Sequence, residues 1–166
     1  MNETITLNME NLTATEREQM MNLVKKANKP DKVWKPNVGD EYKVLDSFGS
    51  VGFSIWNNDR KDDEAHLIGN CFKSKENAMF ARERLKVITE LERFAEKHND
   101  SIIDWNDGET DKYCIYYESN INTIGIDYNT VCRYNDIYFT SKEIARAAID
   151  SIGENRLKKY YFCVED

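Results

Sequence analysis

The spacing of apolar residues changes several times along the chain. Between residues 17 and 28, Met20, Met21, Leu23, Val24 and Ala27 follow a helical spacing. Thr13-Ala14-Thr15-Glu16 just ahead has the form of a capping box. Pro30 and Pro36 then impose an extended connector, because the residue before a proline avoids the helical region. From Glu41 the period drops to two. Tyr42, Val44 and Leu45, then Val51, Phe53, Ile55 and Trp56, flank Phe48-Gly49-Ser50 and predict a hairpin. Residues 57–64 are wholly polar and read as a loop, and residues 66–72 as a third strand. Ser74 opens a long helix, 75–98, with Ala78, Ala81, Leu85, Ile88, Leu91 and Ala95 on one stripe, widened by Phe80, Val87 and Phe94.

The second half repeats this programme. Residues 112–118 and 121–128 predict strands joined by a polar turn at Ser119-Asn120, and residues 131–139 carry further strand character. Ser141 opens a helix with Ile144, Ala145, Ala148, Ile149 and Ile152 on one face. Gly153 interrupts it, and residues 154–161 form a last short helix whose Tyr160-Tyr161-Phe162 seals the end of the core.

Two segments match as F-x-S-K-E-x-A: Phe72-Lys73-Ser74-Lys75-Glu76-Asn77-Ala78 and Phe139-Thr140-Ser141-Lys142-Glu143-Ile144-Ala145. Upstream, Trp34 and Trp105 each stand eight residues before a Tyr, Tyr42 and Tyr113, which places both tryptophans as core plugs. The motif has a mechanical reading: Phe closes a strand, Ser accepts from the free amides of the first turn, and Ala lets the helix approach the sheet. An anion at these helix starts would meet Glu76 and Glu143. The expected fold is therefore α+β, two tandem antiparallel β-β-β-α units sharing a core. Residues 1–32 form an N-terminal helix and connector, 33–98 the first unit and 99–166 the second.

Length and charge narrow the function. The chain has 166 residues, 23 basic and 30 acidic, for a net charge of −7. That balance disfavours nucleic acid, whose binders carry a basic stripe. No apolar run approaches membrane-spanning length and the polar, acidic start is no signal peptide, so a cytoplasmic protein with no membrane partner is expected. Cys71, Cys114, Cys132 and Cys163 include no C-x-x-C, and His66 and His98 lie far apart. Reduced thiols with no metal site fit that pattern. There is no G-x-S-x-G, H-E-x-x-H or phosphate loop, so no enzyme and no cofactor is expected. Residues 104–109 depart from calcium-loop spacing and read as a solvated turn.

The negative charge is concentrated. Residues 40–65 carry 3 basic and 7 acidic groups and residues 99–138 carry 2 and 8, whereas residues 66–98 carry 7 and 5. An acidic strand-and-turn surface repels phosphate and suits a basic protein partner; solubility and edge-strand protection account for the same charges without a partner. The residues expected to contact a partner are Asp59, Asp62, Asp63, Glu64, Asp107, Glu109, Asp111 and Tyr116. The alternative is a nucleic-acid module using the aromatic strands and the helix face of Lys75, Arg82, Lys86 and Arg93.

Residues 67–78, after a hairpin, resemble the strand-to-helix end of AP2-type DNA-binding domains, a three-stranded sheet with one packed helix. Over nearly the whole chain, Trp56, Gly69-Asn70-Cys71-Phe72, Arg84-Leu85-Lys86-Val87, Tyr138-Phe139 and Ile152-Gly153-Glu154 resemble a family of uncharacterised small phage and prophage proteins of low-GC bacteria. The closing Arg156-Leu157-Lys158-Lys159-Tyr160-Tyr161-Phe162 fits the same family. That resemblance implies an accessory protein of the bacterial cytoplasm, binding a host or phage protein, with a defence nuclease as one target.

Overall fold

The computed structural model describes residues 12–27, 33–134 and 137–164. The chain divides into two compact units, Met1–Lys35 and Pro36–Asp166. In the first, α1 (Ala14–Ala27) begins at the expected capping box. The Glu16 amide donates to Thr13 Oγ1 at 3.3 Å, and the Glu16 carboxylate accepts from the Thr13 amide at 2.9 Å. Met21, Leu23 and Val24 on this helix are exposed. Pro30 lies outside the described residues.

The second unit is α+β, with two two-stranded antiparallel sheets among the described residues. In the first sheet β1 (Glu41–Leu45) pairs with β2 (Val51–Ile55) in the register Lys43↔Phe53. Asp46 Oδ1 closes the turn by accepting from the Phe48 and Ser50 amides, each at 2.8 Å, while Gly49 takes φ +77°. The second sheet pairs β3 (Lys112–Glu118) with β4 (Thr123–Asn129) over seven residues.

Two expectations for the first half need correction. The polar stretch 57–64 enters a helix, α2 (Arg60–Leu67). A run with no apolar residue gives periodicity nothing to detect, yet Asp59 and Asp62 form a reciprocal capping box. Residues 66–72 are not a strand. The Gly69 amide bonds His66 O and the Asn70 amide bonds Ala65 O, a Schellman stop with Gly69 at φ +75°. What remains of a third strand is one bridge, Lys43↔Phe72. Beside it the Asn70 side chain stands in for backbone, accepting from Leu45 N at 2.7 Å and donating to Leu45 O at 2.9 Å.

The second half uses the same substitution. Residues 131–139 supply one bridge, Tyr113↔Phe139, in place of a strand. The Asn99 side chain pairs the residues on either side of Phe139, donating to Tyr138 O and accepting from Thr140 N, both at 3.0 Å. The helix starts follow the motif reading. Ser74 caps α3 (Lys75–His98) and Ser141 caps α4 (Lys142–Ile152), each hydroxyl 3.2 Å from the amide three residues on. Ala78 and Ala145 are fully buried. After Gly153, α5 (Glu154–Arg156) widens into a π-helical turn over Leu157–Tyr161.

The large apolar cluster joins Val87, Leu91 and Ala95 of α3 to Ile115, Ile124, Phe139, α4 and Leu157, with Tyr160, Tyr161 and Phe162 packed against it. Its buried members include nothing before Val87. The first hairpin instead buries Tyr42 and Trp56, rings meeting edge-on at 5.7 Å, and packs on the start of α3. Ala78 and Val87 are nine residues apart, about 180° around an α-helix. So α3 serves the hairpin with one face and the main cluster with the other. Leu85 lies on the Ala78 side but two turns further along, and is 62% exposed rather than part of the expected stripe. Trp105 is half-buried at the surface, not a core plug; Trp56, at 1% exposure, is the plug of the first hairpin. Trp34 belongs to the other compact unit. No helix among the described residues is long and apolar enough to cross a membrane.

Candidate functional site

The carboxylates expected on an acidic strand-and-turn surface all lie off the strands. Asp59, Asp62, Asp63 and Glu64 belong to the start of α2, and Asp107, Glu109 and Asp111 to the loop before β3. On α2, Asp59 spends its carboxylate on the Lys61 and Asp62 amides, at 2.8 and 3.0 Å. Asp62 is not a surface residue: it is 3% exposed and accepts from the Tyr42 hydroxyl at 2.8 Å and the Asn57 amide at 2.6 Å. Burial pushes its carboxyl up, but the bonds from Asn57, Tyr42 and Asp59 outweigh burial and hold it below the usual carboxylate value. A partner cannot reach it, so its charge is structural. Asp63 and Glu64 face solvent, Glu64 paired with Arg60 at 3.2 Å. Directly after them the Schellman stop leaves Leu67 83% and Ile68 73% exposed. Asp59, Arg60, Lys61, Glu64 and Ile68 line an open groove of about 700 Å³ along this helix.

The second acidic segment is self-bonded. Asp107 accepts from the Thr110 hydroxyl and from the Glu109 and Thr110 amides, and these bonds pull its carboxyl down to about 2. Asp111 accepts from the Tyr113 hydroxyl at 3.3 Å, and Glu109 is exposed. Tyr116 stands apart from both groups, lying over Gly125 of the facing strand, so a Cβ there would come within 2.6 Å of its hydroxyl. Structure thus gathers the eight residues into two groups plus one tyrosine. The outward carboxylates are those of Asp63, Glu64 and Glu109.

A deeper feature escapes a reading by local pattern. A cleft of about 730 Å³ opens between the last turns of α3 and the segments around Trp105 and Tyr138. Glu92 and Glu96 line it from α3, and Ile102 stands 94% exposed among its lining residues. Trp105 meets Tyr138 edge-on at 4.7 Å between ring centroids and carries the Arg133 guanidinium carbon at 6.0 Å. Lys112 Nζ lies 5.5 Å from the same ring. Lys112 is itself 2% exposed, and all three of its ammonium donors are engaged, by Asp107 O at 2.6 Å, Thr110 O at 2.8 Å and Thr130 O at 3.0 Å. Sequence does hold one signal for this place. Two carboxylates one turn apart near a helix C-terminus oppose the helix dipole, which local stability does not ask for.

The basic helix face proposed for nucleic acid is partly neutralised. Glu83 pairs with both Arg82 and Lys86 at 3.0 Å, and Arg82 also reaches Gly49 O at 3.5 Å, so Lys75, Lys86 and Arg93 are exposed along α3 and Lys86 is already paired. Among the described residues no group of three His, Cys, Asp or Glu side chains is placed to hold a metal ion. Cys71, Cys114, Cys132 and Cys163 form no disulfide. Compared with known proteins, the chain matches no family model, no curated protein sequence and no solved structure.

Proposed function

We propose that this chain is a protein-binding module rather than an enzyme, and that α2 is the element it presents to a partner with a basic surface. The observation that carries the reading is the composition of the exposed end of α2. Asp63 and Glu64 face solvent one turn from Leu67 and Ile68, which a glycine-terminated turn leaves almost uncovered. Carboxylates steer a basic surface to the site, and the aliphatic pair supplies apolar area to bury once it docks. Asp59 caps the same helix from its exposed start, and the buried Asp62 holds it from the inside. Glu109 is a third outward carboxylate, on the loop before β3. The resemblance to phage and prophage proteins is what supports placing this binding in a bacterial cytoplasm, as an accessory protein aimed at a host component such as a defence nuclease.

The test is capture from a bacterial lysate with wild type, with Asp63→Lys/Glu64→Lys, and with Leu67→Ser/Ile68→Ser. Both double variants should keep wild-type circular dichroism, because none of the four side chains is buried. Loss of the same captured protein from both is the expected result. A captured set that neither variant alters would refute α2 as the docking element.

A further inference from the structure

The cleft beside Trp105 has a chemistry that α2 does not share. Glu92 and Glu96 line one wall, and the C-terminal end of α3 adds the negative end of a helix dipole. The aromatic wall is Trp105 with Tyr138 set edge-on against it. A guanidinium already lies against that ring, because Arg133 of the same chain sits 6.0 Å from its centroid. We infer that this cleft is a receptor for an arginine side chain presented by a polypeptide, and that Arg133 occupies the place until such an arginine displaces it.

The choice of arginine follows from the walls. A planar guanidinium stacks on an indole and offers forked donors to carboxylates, whereas an ammonium is a compact, strongly hydrated charge. Cationic character follows from the charges of the lining itself: two glutamates against one arginine. Lys112 does not alter that sum at the cleft mouth, since its ammonium is buried and bound by three carbonyls. A polypeptide source follows from Ile102, which is 94% exposed in the cleft lining and offers an apolar contact to a residue next to the arginine. This inference rests on the reading of a basic protein partner and gives that partner a second, arginine-reading contact.

The experiment follows the Trp105 indole N–H by NMR during titration at low salt. The probes are a hexapeptide carrying arginine next to leucine, the same peptide with citrulline for arginine, and arginine amide alone. The arginine peptide should shift the Trp105 signal, the citrulline peptide should not, and arginine amide should bind more weakly than the peptide. Glu92→Gln/Glu96→Gln should weaken the peptide about fivefold or more, the scale of partly exposed charge pairs. Arg133→Gln should tighten it severalfold by removing the internal competitor. Equal binding of citrulline would overturn the inference, as would equal affinity for arginine amide or unchanged affinity in the glutamate variant. Weaker binding by Arg133→Gln, or no Trp105 shift at millimolar peptide, would do the same. If the cleft fails while capture still depends on Asp63 and Glu64, the α2 reading stands alone; the reverse outcome removes α2 and keeps the cleft.

Discussion

Lys112→Met is the sharpest test of how the loop beneath the cleft is held. Methionine keeps most of the volume and the unbranched stem, so the packing of the buried chain is largely preserved and the ammonium is what is lost. Three charge-assisted bonds to carbonyls disappear, each worth about 1.5–3 kcal/mol. Against that, the variant no longer bears the several kcal/mol spent in desolvating the ammonium, and the freed carbonyls recover part of their bonding from water. The balance is a loss of about 2–4 kcal/mol. At about 2–4 °C per kcal/mol for a chain of this size, the melting temperature should fall by about 4–16 °C. Urea unfolding followed by circular dichroism measures it, with Lys86→Met as the control for an exposed lysine paired only on the surface. Trp105 emission should shift to the red in the variant, since the carbonyls of residues 107, 110 and 130 lose their common anchor. A change under about 1 kcal/mol, or one equal to the Lys86→Met control, would refute the claim that the ammonium holds this loop.

Three further outcomes follow from the same reasoning. Leu91→Ala should cost about 2–5 kcal/mol and Leu85→Ala under about 1 kcal/mol by urea unfolding, and similar losses would dismiss the two-faced account of α3. Asp107 titrates near 2 in the folded chain against an ordinary 3.8, so the unfolded chain binds the proton first and stability falls as pH drops through that window. Asp107→Asn should flatten the dependence of stability on pH between about 4 and 2, and an unchanged slope there would remove the assignment. Gly125→Ala should destabilise the second hairpin by about 1 kcal/mol because its methyl meets the Tyr116 ring. In a Tyr116→Ala background the same change should cost nothing, and simple additivity in this double-mutant cycle would count against that contact.

How much of this was legible in the sequence varies with what each element depends on. Both long helices of the second unit could be read because a serine cap, a 3.6-residue stripe and a stop are all local signals. The hairpins could be read from alternation and from the turn at Gly49. Other features depend on residues far apart. Asp62 looks like any acid in a polar run until Tyr42, twenty residues earlier, supplies its hydroxyl. The third strand of each half cannot be told from its substitute by periodicity, because Asn70 and Asn99 imitate backbone with side-chain amides. Leu85 matches the helical period and still faces water, since period reports that a face is apolar and not where its partner ends. The cleft draws on α3, Trp105 and Tyr138, segments that share no local pattern.

The division of α3 between two faces has a consequence for local opening. The first hairpin and α2 bury Tyr42, Trp56 and Asp62, and none of these belongs to the large cluster around Leu91 and Phe139. They can therefore detach as a cooperative piece while α4 and the second hairpin stay closed, at an opening free energy below that of global unfolding. Amide hydrogens of β1 and β2 should exchange with deuterium well before those of α4. The helix proposed to meet a partner then rides on a part of the molecule that opens before the main cluster does. A partner that recognises only the closed form of α2 would tighten that segment by mass action, and its presence would be recorded as slowed exchange at Tyr42 and Ser54 with α4 unmoved.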